Sequence, residues 1–207
     1  SSAVYMSTDS GSTWSELSTI TSPYATADIT LDPTSPEKLF VKGVIGTASA
    51  LFMSTDGGHT WTKANSSSLL FPTSIVVNPK NPQEIFAGDS NGLEVSEDGG
   101  STWTNQSNLA SLWYLTYIPG NSGATLLGSA GVNMYSSADN GKSWAEADPG
   151  TSYLFSESIA IDPNQPTTLF MYGVDGFPLS RSTDAGATWI QSYSGTASYG
   201  VVVIDPG

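Results

Sequence analysis

The chain has 207 residues, of which 38% are apolar and only 12% are charged, a length that suits one large domain or a compact pair. Six basic residues against 19 acidic ones give a net charge of -13, which would repel phosphate backbones and anionic membrane surfaces and argues against nucleic acid as a partner. No apolar stretch approaches the roughly 20 residues that a membrane helix needs, so we expect no membrane insertion. The absence of Cys and the single His exclude disulfides, thiolate chemistry and Cys-built zinc sites, and we expect no cofactor and no metal.

An eight-residue pattern, Ser-x-Asp-x-Gly-x-Thr/Ser-Trp, occurs five times. Its copies, boxes 1 to 5, span residues 7–14, 54–61, 96–103, 137–144 and 182–189, with starts 47, 42, 41 and 45 residues apart. Each box predicts a tight hairpin, since its Asp can accept hydrogen bonds from turn amides and its Gly adopts a conformation that a Cβ would oppose. We expect a structural role for the Asp, Gly and Trp of every box: Asp9, Gly11, Trp14, Asp56, Gly58, Trp61, Asp98, Gly100, Trp103, Asp139, Gly141, Trp144, Asp184, Gly186 and Trp189.

Apolar strands fill the spaces between boxes. A first strand, an Asp/Asn-Pro turn and a second strand occupy residues 29–40, 75–86 and 159–170, a third strand such as residues 50–53 leads into each box, and the box Trp opens a fourth. Four strands in a period of 41 to 47 residues predict an all-β fold, a β-propeller of four-stranded antiparallel blades.

The chain ends predict an incomplete blade. Residues 3–6 belong to a third strand and residues 202–206 to a first strand and its turn, while residues 24–190 hold four whole blades. We expect the two ends to form an incomplete fifth blade, with one propeller domain over residues 1–207. The alternative is a fragment of a larger propeller.

The boxes resemble the Asp-box (BNR-type) signature of propellers in sialidases, family 74 glycoside hydrolases (xyloglucanases), sortilin-type receptors and photosystem II assembly factors. The resemblance covers essentially the whole chain and implies the propeller fold. In those families the box lies at the rim, on the face opposite the usual ligand site, which implies a structural role for the box Asp residues rather than a catalytic one.

The resemblance separates these families by what their chemistry needs. A sialidase holds its substrate with three arginines, and Arg181 is the only Arg here. Sortilin-type receptors carry a Cys-rich module and the assembly factors an Arg-rich patch, and neither is present in these residues. Xyloglucanases are the most similar overall, but their two catalytic carboxylates lie in a cleft between two propellers.

Aromatic residues gather in or just after the segments between blades, where a propeller carries its ligand loops. Trp113 is the one Trp outside a box, and it lies in the repeat whose Asp-Pro turn is replaced by Ile118-Pro119. Rings around an opening can stack on sugars or on extended partners, although packing between blades would explain them as well. The candidate ligand-binding residues are Trp113, Tyr114, Phe71, Phe155, Tyr199 and Tyr24.

Two carboxylates, Asp28 and Glu157, begin first strands at nearly equivalent positions and are the candidates for a catalytic pair. Glycoside hydrolysis needs two carboxyl groups, one of them with a raised pKa. Other acids outside the boxes, such as Asp89 in a second-to-third-strand loop, are expected to be solvated.

Scarce charge and a single His favour binding over catalysis. The sequence therefore predicts a secreted or cell-surface module that binds a glycan or an extracellular protein. One alternative is a fragment of a xyloglucanase-like glycoside hydrolase. The other is a structural or assembly unit that associates with itself through its incomplete end blades.

Overall fold

The structure, a computed structural model, describes residues 2–20, 25–45, 48–64, 72–106, 109–119, 126–131, 133–147, 156–173, 179–193 and 202–204. Within these ranges the regular elements are all β-strands. One sheet has two strands, β1 (Ser2–Met6) and β2 (Ser15–Ile20), and the other four sheets have four strands each.

The four-stranded sheets follow one another along the chain. They comprise β3 (Ala25–Asp32), β4 (Ser35–Ile45), β5 (Ala48–Ser54) and β6 (Thr62–Lys63); β7 (Ser74–Val77), β8 (Ile85–Asp89), β9 (Gly92–Ser96) and β10 (Thr104–Asn105); β11 (Leu112–Tyr117), β12 (Leu126–Ala130), β13 (Asn133–Ser137) and β14 (Ala145–Glu146); and β15 (Ser156–Ile161), β16 (Leu169–Gly173), β17 (Leu179–Ser182) and β18 (Ile190–Tyr193). In each sheet the strands are neighbours in sequence order. The predicted four-stranded antiparallel blades are confirmed, and the five sheets are called blades 1 to 5 in chain order, blade 1 being the partial one.

The strands are joined by the turns that the sequence indicates. In the first links the Asx side chain closes the turn: Asp32 Oδ1 accepts a hydrogen bond of 2.9 Å from the Thr34 amide, and Asn78 Oδ1 accepts one of 2.9 Å from the Lys80 amide. Pro at the next position presets φ for the turn. Box 1 lies between β1 and β2, and each of the other boxes lies between the third and fourth strands of its blade. The strand after each box begins one residue after the box Trp rather than at it.

The chain divides into two compact units, Ser1–Ala87 with Glu94–Thr104 and Gly88–Leu93 with Asn105–Gly207. The core of the first unit lies between blades, where Phe40 and Leu51 of blade 2 pack against Ile75, Val77 and Trp103 of blade 3. This packing removes large apolar side chains from water, the main favourable term in folding.

The core of the second unit repeats the arrangement with blades 4 and 5. Leu127 and Met134 of blade 4 pack against Leu169, Met171 and Trp189 of blade 5. Neighbouring sheets therefore hold each other in the same way in both units.

The C-terminal segment differs from its prediction. Residues 202–204 are described and do not form a strand, and Val203 is 82% exposed. The pairing of the two chain ends in one blade stays a prediction, as does a single domain over residues 1–207.

Two box glycines provide a matched test of packing between blades. Gly100 has φ +95°, and a Cβ added there would lie 2.9 Å from Cε1 of the fully buried Phe40 ring in the preceding blade. Gly11 has φ +85°, with nothing within 4 Å of an added Cβ. Changing either glycine to Ala should strain the backbone by about 1–2 kcal/mol, and only Gly100→Ala should lose a further ~1–3 kcal/mol through overpacking.

Urea unfolding of the two Ala variants beside the parent measures the difference. Equal losses in the free energy of unfolding would contradict the proposed contribution of the Phe40 contact.

Candidate functional site

The boxes are held by a repeated set of hydrogen bonds, illustrated by box 3. Ser96 Oγ donates to Asp98 Oδ1 at 2.8 Å and accepts from the Gly100 amide at 2.8 Å. Asp98 accepts from the Thr102 amide at 2.8 Å and from the Thr102 hydroxyl at 2.6 Å. The Trp103 indole N–H donates to the Gly100 carbonyl at 3.0 Å. The same bonds recur in the other four boxes, so the polar groups of each box are used within its own turn.

These hydrogen bonds lower the pKa of the box carboxyls. The hydroxyl and then the amide of the residue four positions on lower the pKa to about 2 for Asp9, Asp56, Asp98 and Asp139. At Asp184 burial acts to raise the pKa, but the bonds from Thr188 and Ser182 outweigh it and the pKa is lowered. A general acid needs the opposite shift, so the box carboxylates are suited to holding turns rather than to delivering protons.

The box tryptophans differ in burial. Trp103 and Trp189 are buried, at 7% and 8% exposed, and Trp61 and Trp144 are half-buried. Trp61 also donates to the hydroxyl of Ser18 in the preceding blade at 3.0 Å. Trp14 is 64% exposed, so its ring is not packed between sheets as those of Trp103 and Trp189 are.

Trp113 lies at an irregularity in the first strand of blade 4. Leu112 pairs with Ala130 and Tyr114 with Ser129, so Trp113 is the extra residue of a β-bulge. Its neighbour Leu112 is fully buried, whereas Trp113 is 52% exposed. A bulge redirects the side chain that it carries, and here it carries a large aromatic ring with half of its surface in solvent.

Two other first strands have a bulge in the same place. The register of β3 shifts between Thr26 and Asp28, and that of β15 shifts between Ser156 and Ser158. Glu157 therefore takes the position of Trp113, while Asp28 takes the position of Tyr114. Glu157 is the second residue of β15, whereas Asp28 is the fourth residue of β3 and does not begin its strand. The side chains of both carboxylates lie outside the described part of the structure, so their role as a catalytic pair stays a prediction.

The other aromatic candidates are only partly placed. Tyr114 is half-buried, and its hydroxyl lies 3.4 Å from both the amide nitrogen and the carbonyl oxygen of Ile159 in blade 5. Tyr114 thus links two blades, and its ring is less available than that of Trp113. Phe71, Phe155, Tyr199 and Tyr24 lie outside the described residues.

Two buried carboxylates depart from sequence reasoning. Asp89 was expected in solvent, and it is fully buried. Its Oδ1 accepts hydrogen bonds from the Asn91 amide at 3.0 Å and the Ser90 hydroxyl at 3.1 Å, closing the turn between β8 and β9. Glu94 in β9 is fully buried as well, and no sequence pattern marks it.

The described residues support neither metal ligation nor a membrane-spanning helix. Among the described residues, no three His, Cys, Asp or Glu side chains are grouped as metal ligands would be. Over the same ranges, no helix has the length and apolar character needed to cross a bilayer.

The first three boxes lie in a region that is similar to a known protein family. A family model described as Sortilin, neurotensin receptor 3, matches residues 2–104, which hold boxes 1 to 3. No curated protein sequence matches the chain.

Three solved structures illustrate the similarity in fold. An ancestral GH74 enzyme is 19% identical with a TM-score of 0.67, covering 81% of this chain and 24% of its own. YCF48 bound to D1 peptide is 20% identical with a TM-score of 0.61, covering 91% and 60%. The nidogen/laminin complex includes a chain that is 12% identical with a TM-score of 0.67, covering 93% and 73%.

These comparisons establish the fold class. The chain is an all-β protein of the β-propeller fold, and its resemblance to Asp-box propellers is confirmed. Sortilin, which sequence reasoning set aside, and GH74 enzymes, which it ranked first, both occur among the matches. The chain spans less than two thirds of the length of the GH74 enzyme and of YCF48.

The box hydrogen bonds predict how stability depends on pH. Because the folded-state pKa of Asp98 is about 2, below its ordinary value, the stabilisation is present above about pH 4 and is lost as the pH falls towards 2. Thr102→Val removes the hydroxyl donor and keeps the carboxylate. Without that donor the folded-state pKa of Asp98 should lie closer to its ordinary value, so the variant should be less stable than the parent at pH 7 and should lose less stability between about pH 4 and pH 2.

Denaturant unfolding at a series of pH values measures the effect. Asp98→Asn is the companion variant: it should be less stable at pH 7 and should lose less stability in acid, because one titrating carboxylate is gone. Superimposable pH profiles for the parent and both variants would contradict a stabilising role for the bonded carboxylate.

Proposed function

We propose that the chain is a binding module that performs no catalysis and that it takes a glycan or an extracellular protein through the surface around Trp113. The observation that carries this proposal is the half-exposed indole of Trp113 at a strand bulge. We further propose that the module acts outside the cell or at its surface.

The energetics of an exposed indole support a binding role. Trp is a large apolar side chain with a polar edge, and it is enriched among the residues that dominate binding energy. Trp113 projects from a strand whose neighbouring residues, Leu112 and Leu115, are buried. A ring fixed to a regular element can stack on a partner with little loss of side-chain freedom.

The solved structures support a protein partner. One of them is YCF48 bound to D1 peptide, and another contains nidogen in complex with laminin. A glycan partner is supported by the GH74 enzymes of the same fold and by the suitability of an exposed indole for stacking on a sugar ring.

The described carboxylates support binding rather than catalysis. Among the described residues, the five carboxyls with a shifted pKa all belong to boxes, and the pKa is lowered in each. Asp89 uses its carboxylate to close a turn. These groups serve the fold, and a glycosidase would require a carboxyl that stays protonated near neutral pH.

The test is binding of the parent and of Trp113→Ala to a glycan array that includes xyloglucan oligosaccharides, and to an array of extended peptides. The parent should bind members of one array, and Trp113→Ala should weaken that binding by roughly 30-fold or more, as loss of a central aromatic does. Ile190→Ala is the matched control, since Ile190 is 63% exposed on an outer strand and should not affect binding.

Two results would contradict the proposal. One is a parent that binds neither array, and the other is equal affinity of the parent and Trp113→Ala. Release of reducing sugar from xyloglucan by the parent would contradict the absence of catalysis.

A further inference from the structure

Blades in this chain cover one another through a repeated contact. The Gly of a box faces a large side chain in the blade before it: a Cβ added at Gly100 would meet Phe40 at 2.9 Å, and one added at Gly186 would meet Leu127 at 3.1 Å. Phe40 and Leu127 hold the same position in the second strands of blades 2 and 4, and both are fully buried. We call this side of a blade its receiving side, and the side that carries the box Gly and Trp its box side.

The box side of blade 1 is open. Trp14 is 64% exposed, Tyr5 is 55% exposed, and an added Cβ at Gly11 would meet nothing within 4 Å. Tyr5 precedes its box by the same distance as Phe52 in blade 2, which is only 7% exposed. An exposed patch with two aromatic rings is typical of an interaction surface.

The receiving side of blade 5 has the composition of one that accepts a box. Phe170 is in the position of Phe40 and is half-buried rather than fully buried. The Arg181 guanidinium lies 5.8 Å from the Phe170 ring centre, as Lys38 Nζ lies 5.7 Å from the Phe40 ring centre. A cationic side chain therefore lies close to each of the two rings.

In blade 2, the ring with a nearby cation is covered by a box of the next blade. Box 3 is seated on Phe40, and a Cβ added at Gly99 of that box would lie 2.6 Å from Lys38 Nζ. A box brings an ionised Asp, and in box 1 the exposed Asp9 is followed by the exposed Glu16. Arg181 therefore complements the charge of box 1 as well as its aromatic rings.

We propose that the box side of blade 1 binds the receiving side of blade 5 in a second copy of this chain. The contact joins two different surfaces, so a bound pair of copies still presents one open side of each kind, one on each copy. Such a heterologous contact extends head to tail instead of stopping at a dimer, unless the rotation closes a ring. It repeats between chains the contact that already joins neighbouring blades within each unit, and it does not depend on Trp113.

Sedimentation velocity of the parent chain over a series of concentrations tests the proposal. We expect dimers and larger species to grow with concentration, together with a blue shift in tryptophan emission as Trp14 leaves water. A monomer at every concentration would overturn the proposal, whether the two sides then stay open or are covered in some other way.

Two charge variants separate the two sides of the contact. Tyr5→Glu alters the box side, Arg181→Glu alters the receiving side, and each should weaken association by roughly 30-fold or more. A mixture of the two variants keeps one intact contact per pair, since each supplies the side that the other lacks. The mixture should form dimers with the affinity of the parent and nothing larger.

The controls distinguish a lost contact from a lost fold. Leu31→Ser changes an exposed apolar residue in β3 of blade 2, which carries neither of the two proposed surfaces, and should leave association unchanged. Circular dichroism should give the same spectrum for all variants. Association that survives both charge variants, or a mixture in which no dimer forms, would overturn the proposed pairing of surfaces.

Discussion

The hydrogen bond between a box Asp and the residue four positions later determines much of this structure. In box 3 the carboxylate of Asp98 accepts from both the amide and the hydroxyl of Thr102. Because both donors belong to one short segment, the turn between the third and fourth strands closes without help from distant parts of the chain. The turn then places Gly100 and Trp103 against the preceding sheet. A local bond thereby positions the groups that make the long-range contacts.

The same arrangement separates the scaffold from the surfaces available for recognition. Box side chains satisfy one another, and a polar group that already has its partners gains little from a ligand. The proposed recognition role therefore falls on a group that the turns do not use, the Trp113 ring, which a bulge holds half in solvent. Comparison between blades supports this choice. A residue that differs from its equivalents in the other blades does not serve the structural role that those equivalents share.

Repetition also links blade packing to assembly. A sheet of this type has a box side and a receiving side, and neither is self-complementary. Within each unit, neighbouring sheets therefore meet through unlike sides. In the described residues, exposure of Trp14 and partial exposure of Phe170 are the local signs of this property. Their buried counterparts in other blades show how each side is covered when a neighbour is present.

The sequence by itself determined the boxes, the Asp/Asn-Pro turns, four strands per period and the propeller fold, because these depend on hydrogen bonds and apolar alternation within a few residues. It singled out Trp113 by its position outside the repeat. Only the tertiary structure decided that Trp113 occupies a bulge, that Asp89 is buried where solvent was expected, that Asp28 and Glu157 differ by one position, and that Trp14 is exposed while Trp103 is covered. Burial and register depend on the neighbouring sheet or strand that packs against a residue. An eight-residue pattern that is alike in all five boxes cannot specify these long-range contacts.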